Sequence, residues 1–154
     1  MTSSSGWRVV VVSVAALAVL TATGSGRAAA ETAPCPADHQ IADRLAGSAP
    51  VLCIVADHAH REGVFLIVDA LVKNISGRPV TGAEVSVELY TYSGDLLGAE
   101  STILRPAGLG PGQEGTVLVT TPWQEGVEKL RYLITWRQAG RQHQGAAEHD
   151  VSLG

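Results

Sequence analysis

Aromatic residues are scarce in this chain of 154 residues, at 5%, and methionine and phenylalanine occur once each. A core must therefore come from Val, Leu, Ile and Ala, and the hydrophobic share of 45% supplies them. With only 17% charged residues, composition excludes a disordered chain. Positive charge is sparse too. Lys+Arg number 11 against 15 Asp+Glu, a net charge of −4 without a basic block, so nucleic acid is not an expected partner. No apolar run is long enough to cross a bilayer. The longest covers residues 9–20, or 12 residues, where a spanning helix needs about 20. There is no Gly-x-Ser-x-Gly turn to present a nucleophile. No glycine-rich loop leads into a helix to cradle phosphate, because residues 108–112 lie between strand patterns. Neither an enzyme nor a cofactor is expected. The length allows one domain.

The first thirty residues do contain a recognisable pattern. Arg8 precedes the 9–20 run, small polar residues follow, and Ala28-Ala29-Ala30 stands before Glu31. This is the outline of a secretory signal peptide, with a positive start, a short apolar stretch and an A-x-A cleavage site. A retained anchor is the alternative. Pro34 before Cys35 speaks against a lipoprotein. Cleavage would leave 124 residues with 9 basic and 15 acidic side chains and no spanning segment. The expected location is secreted or periplasmic. An oxidising compartment favours a disulfide between Cys35 and Cys53, the chain's only two cysteines. No Cys-x-x-Cys redox motif is present.

Residues 31–50 read as an Ala/Pro-rich extension, with at most a short helix over 38–46 placing Ile41, Ala42 and Leu45 on one face. From Val51 the period becomes two. Leu66, Val68, Ala70 and Val72 share a face, opposite Phe65, Ile67, Asp69, Leu71 and Lys73. Val85, Val87 and Leu89 alternate with Glu84, Ser86, Glu88 and Tyr90, one buried face and one wet face. Val117 and Val119, then Leu130, Tyr132, Ile134 and Trp136, continue the pattern. Turns fall at Asn74 to Pro79, Ser93-Gly94-Asp95, Pro106 to Gly115 and Gln124-Glu125-Gly126. Short strands without long helices predict an all-β, immunoglobulin-like antiparallel sandwich over residues 51–140. Residues 141–154 read as a polar tail.

Three stretches resemble the FxLYD domain, an immunoglobulin-like module of exported proteins. Val87-Glu88-Leu89-Tyr90-Thr91 with Gly94 is similar to its naming strand and turn, with Val in place of Phe and Thr in place of Asp. Ala70 to Asn74 resembles its Gly-x-Val-x-Asn strand, and Leu109 to Gln113 its Leu-x-Pro-Gly loop. The resemblance covers about seventy residues and implies a sandwich and export. It carries no catalytic site.

The best chemical candidate is Asp57-His58-Ala59-His60. On a strand His58 and His60 point the same way, and two imidazoles on one face can hold a transition metal. His143 and His149, with Asp57 or Asp150, are further candidate ligands. Glu84 and Glu88 read as a solvated strand face. Asn74-Ile75-Ser76 is a formal glycosylation sequon but reads as a turn. Trp123, after Pro122, is a possible contact residue or a cap on the open end of the core. The function expected is a non-enzymatic binding module for a protein or cell-envelope component, with metal binding or delivery through His58 and His60 as the alternative.

Overall fold

The computed structural model describes residues 35–45 and 47–150, which belong to one compact unit. The other unit, Met1–Thr32, lies outside the described residues, and the expected signal peptide and cleavage site lie there with it.

Among the described residues a 3-10 turn at Ala37–His39 leads into eight strands. They are β1 (Gln40–Ala42), β2 (Pro50–Glu62), β3 (Phe65–Asn74), β4 (Thr81–Tyr90), β5 (Leu96–Ile103), β6 (Glu114–Pro122), β7 (Lys129–Gln138) and β8 (Arg141–Asp150). Two antiparallel four-stranded sheets result, ordered β1-β2-β3-β6 and β5-β4-β7-β8. The all-β sandwich expected from the alternating pattern is what forms. Leu66, Val68 and Val72 from one sheet face Val85, Val87, Leu89, Leu130, Ile134 and Trp136 from the other, all buried. The small core residues follow from the scarcity of aromatics; Trp136 and Tyr132 are its largest side chains.

Both chain ends of the domain differ from the sequence reading. The short helix expected over 38–46 is limited to the 3-10 turn ending at His39; Gln40–Ala42 form β1 instead, which pairs with the start of β2, matching Gln40 to Cys53 and Ile41 to Leu52. The Cys35–Cys53 disulfide forms across 6.1 Å between Cα atoms, and the Gln40 side chain donates to the Cys35 carbonyl at 2.9 Å. The loop it closes would add about 3 kcal/mol by restricting the unfolded chain. At the other end, residues 141–150 are not a tail. They form β8, paired with β7 along its whole length through the two-residue Ala139-Gly140 hairpin. Both hairpin residues take positive φ, 51° and 76°, as the tightest hairpins require. Residues inside β8 alternate as a strand should, but His143, Gly145 and Ala147 take the inward places that Val and Leu hold elsewhere.

These two additions close one side of the sandwich. The Arg44 amide donates to the Gln144 carbonyl at 2.9 Å, and Gly145 lets β1 lie directly on β8. A Cβ there would overlap the Ala42 carbonyl oxygen and Ile41. On the opposite side, Arg105 and Thr116 bridge the sheets' other edges.

Asn74 joins the two other stretches that resemble the FxLYD domain. It is wholly buried at the end of β3. Its Nδ2 donates to the Arg78 and Leu109 carbonyls, at 2.8 and 3.0 Å, and its Oδ1 accepts from the Ser76 amide at 2.9 Å. Its backbone exchanges hydrogen bonds with Gln113 and Gly112. The β3–β4 turn and the Gly/Pro-rich loop are thereby fastened to one side chain. The sequon nitrogen is already used twice, so the turn reading stands.

Candidate functional site

A bulge decides the chemistry of β2. Up to Ile54 the even residues face inward, and Leu52 and Ile54 are buried. Continued unbroken, that phase would send His58 and His60 into the core. The ladder slips between Ile54 and Ala56, leaving Val55 as an extra residue. A bulge re-aims the side chains that follow it. Beyond it Asp57 and Ala59 turn inward, and Ala56, His58 and His60 turn outward. Neighbouring residues 57 and 58 thus serve two separate clusters on opposite faces.

The outward cluster holds the sequence-predicted pair. The rings of His58 and His60 stack with centroids 5.0 Å apart. Asp69 of β3 is the cross-strand partner of His58, and its Oδ2 lies 3.5 Å from His58 Nδ1. One ligand atom from each of His58, His60 and Asp69 lies within 4.8 Å of the others. The His60 Nδ1 is shielded from water and has no hydrogen-bond partner. Asp69 was visible in the sequence only as a polar residue on the outer face of a strand. The β2–β3 register selects it, and no local spacing reveals that register.

The inward cluster was missed. Asp57 reaches across the sandwich to the other sheet, accepting from the Tyr132 hydroxyl at 2.9 Å and pairing with His149 Nε2 at 2.5 Å. His39 from the 3-10 turn stands over His149, ring centroids 4.7 Å apart, and its Nδ1 meets the Ile54 carbonyl at 3.0 Å. Burial pushes the Asp57 carboxyl up, but the bonds from His149 and Tyr132 outweigh it and bring the group below the usual carboxylate range. The bond to Asp57 raises His149 despite its burial. Burial first, then the Asp57 charge, raises Tyr132, so its hydroxyl keeps its proton. The two ends of this picture conflict at one atom: a protonated His149 leaves its buried Nδ1 without an acceptor. The Nε2 contact and both shift directions favour the charged form of the pair. A cleft of about 440 Å³ opens beside it, bordered by Asp38, His39, His58 and Asp150.

His143 and His149 therefore do not join His58 and His60. His149 belongs to Asp57 on the inner side. His143 pairs with Asp43 at 2.6 Å and stacks on Trp136, centroids 5.8 Å apart. That bond holds the Asp43 carboxyl below its usual range. Glu84 and Glu88 lie on the outer face of β4, as expected, where Glu88 accepts from the Tyr90 hydroxyl at 2.9 Å and lies 3.4 Å from Arg131. Trp123 is half-buried against the core. The Arg61 guanidinium lies 5.1 Å from its ring centroid, and its amide donates to Val64. It caps the end of the sandwich while leaving part of its ring to solvent.

No protein-family model matches the chain, and no curated protein is significantly similar. Solved structures that resemble it do so weakly. The C-terminal domain of Wzt aligns over 68% of this chain and 75% of its own, with 11% identity and a TM-score of 0.43. A CARDB domain from Pyrococcus furiosus, solved in complex with di-metal ions, aligns over 64% and 88%, with 22% identity and a TM-score of 0.33. A β-glucosidase from Kluyveromyces marxianus, in complex with glucose, aligns over 68% of this chain and 15% of its own, with 13% identity and a TM-score of 0.28.

Proposed function

We propose that the protein is an exported, non-enzymatic binding module that engages a protein or cell-envelope component through the outer face of the β1-β2-β3-β6 sheet. The observation that carries this reading is an apolar surface on that face beside an open strand edge. The β5-β4-β7-β8 face carries Leu96, Ile103 and Leu133 scattered among the charged Glu84, Glu88, Lys129, Arg131, Arg137 and Glu148. The other face exposes Phe65 and Leu118, at 47% and 63%, beside the half-buried Ile67 and Leu71. A groove of about 410 Å³ runs there between His58, Asp69, Leu71, Thr116 and Leu118. β1 pairs with β2 only as far as Cys53, so among the described residues no strand covers the edge of β2 beyond it. Apolar side chains next to an open edge suit an extended protein segment added as a further strand.

The pattern in residues 1–30 supports the export part of the reading from the sequence side. The disulfide is compatible with an extracellular or periplasmic location. Among the described residues no helix is long and apolar enough to cross a membrane. The resemblance to the FxLYD domain points the same way and rests on the quoted stretches alone.

Capture from the host's envelope fraction tests the surface. Wild-type protein should retain a saturable partner that is lost in Leu118→Glu and kept in Arg137→Glu, with both variants melting near wild type. Equal capture by Leu118→Glu overturns the assignment of this face, and the lack of any saturable partner overturns the binding reading.

A further inference from the structure

We infer that His58, His60 and Asp69 form a binding site for a divalent transition metal ion of the zinc class. The inference is independent of any protein partner. Two imidazole nitrogens and one carboxylate oxygen are a donor set suited to such an ion, whereas calcium and magnesium are held by oxygen alone.

Three features of the fold build the site. The bulge at Val55 turns both histidines out of the core, where an ion can reach them. The spacing of two on β2 then sets the imidazoles side by side on one face. The antiparallel register brings Asp69 opposite His58, so the third donor comes from a different strand and the site is held by a ladder of backbone hydrogen bonds. The donor atoms already lie within 4.8 Å of one another. Bonds of about 2.0–2.2 Å to a common ion require them somewhat closer, a change within reach of side-chain rotation because His58 and Asp69 are more than half exposed.

An ordinary cross-strand ion pair accounts for His58 and Asp69. It does not account for His60, whose Nδ1 is shielded from water without a partner. A buried nitrogen without a partner is costly, and an ion bound through His60 Nδ1 would remove that cost. With three protein ligands, a tetrahedral ion keeps one position open to water or to a donor from outside the chain.

The test uses the purified protein stripped with EDTA and titrated with Zn²⁺ by calorimetry, with Co²⁺ visible absorption reporting coordination geometry. Wild type should bind one ion per chain and give a tetrahedral-type cobalt spectrum. Loss of an outer-shell partner alone costs about 10–100-fold in affinity, so His58→Ala, His60→Ala and Asp69→Asn should each weaken binding by at least about tenfold. Uptake should also fall on acidification, because imidazole binds metal only as the neutral base. Circular dichroism melts of His58→Ala and Asp69→Asn should match wild type, since both side chains are largely exposed, and so separate lost binding from lost fold. Absence of stoichiometric uptake overturns the site. Binding that survives Asp69→Asn undiminished overturns the three-ligand set, and binding undiminished in His58→Ala places any uptake elsewhere.

Discussion

Asn74 is the residue on which the most backbone depends. Its side chain satisfies two carbonyls and one amide from two different loops, the Leu109 carbonyl buried and the Arg78 and Ser76 groups partly so. Truncation would strand the Leu109 carbonyl where water does not replace its partner. A buried donor or acceptor left unmade costs about 1–3 kcal/mol. Asn74→Ala should therefore destabilise the domain by about 1–3 kcal/mol, measured by denaturant unfolding. Asn74→Asp should be damaging as well, because a carboxylate cannot donate to Arg78 and Leu109. A loss below about 1 kcal/mol in Asn74→Ala would mean that the loops hold themselves. Gly145 makes the matching point without a side chain. The alanine methyl would meet the Ala42 carbonyl, which cannot move without shifting β1. Overpacking of this kind typically costs about 1–3 kcal/mol, and Gly145→Ala should show it in the same assay.

For a single element, β4 offers the sharpest test of facing. Leu89 is buried, and its neighbour Glu88 points outward to Tyr90 and Arg131. Leu89→Ala should cost about 2–5 kcal/mol by leaving a cavity. Glu88→Gln removes only a partly exposed ion pair and should cost no more than about 1 kcal/mol. The reverse order in denaturant melts would place the strand in the wrong register. β4, β6 and β7 were legible because apolar and polar residues alternate cleanly along them. β2 was only half legible. Its sequence is apolar on both faces up to Ala56, so nothing in the residues marks Val55 as the extra one, and only pairing with β3 reveals it. β8 escaped notice for a different reason. Its inward positions carry His143, Gly145, Ala147 and His149, residues chosen by what they touch across the sandwich rather than by hydrophobicity. The same cause hid the inward cluster and the role of Asp69. His58 and His60 could be read locally, but their partners lie on strands brought near by the fold.

At the scale of the whole domain, the Asp57, Tyr132 and His149 cluster should make the join between the sheets sensitive to pH. Asp57 is depressed in the folded state, so its contribution is complete above the ordinary carboxylate value of about 3.9 and is lost as pH falls below it. His149 is raised, so its contribution is complete below the ordinary imidazole value of about 6.5 and is lost as pH rises through its folded value. Tyr132, held protonated, donates throughout that range. The join should therefore be strongest between about pH 4 and 6.5 and weaken on either side. Asp38 and Asp150 add to the rise at His149, and His39 stacks against it. Each unit by which His149 is raised is worth about 1.4 kcal/mol. Melting temperatures of wild type and His149→Gln, measured from pH 5 to pH 9 in steps of roughly one unit, isolate this term from the other histidines. The gap between the two proteins should be widest at the acid end of that range and close as pH rises. A gap that stays constant with pH would show that His149 contributes packing alone and that the sheets are joined by their apolar core without help from the ion pair.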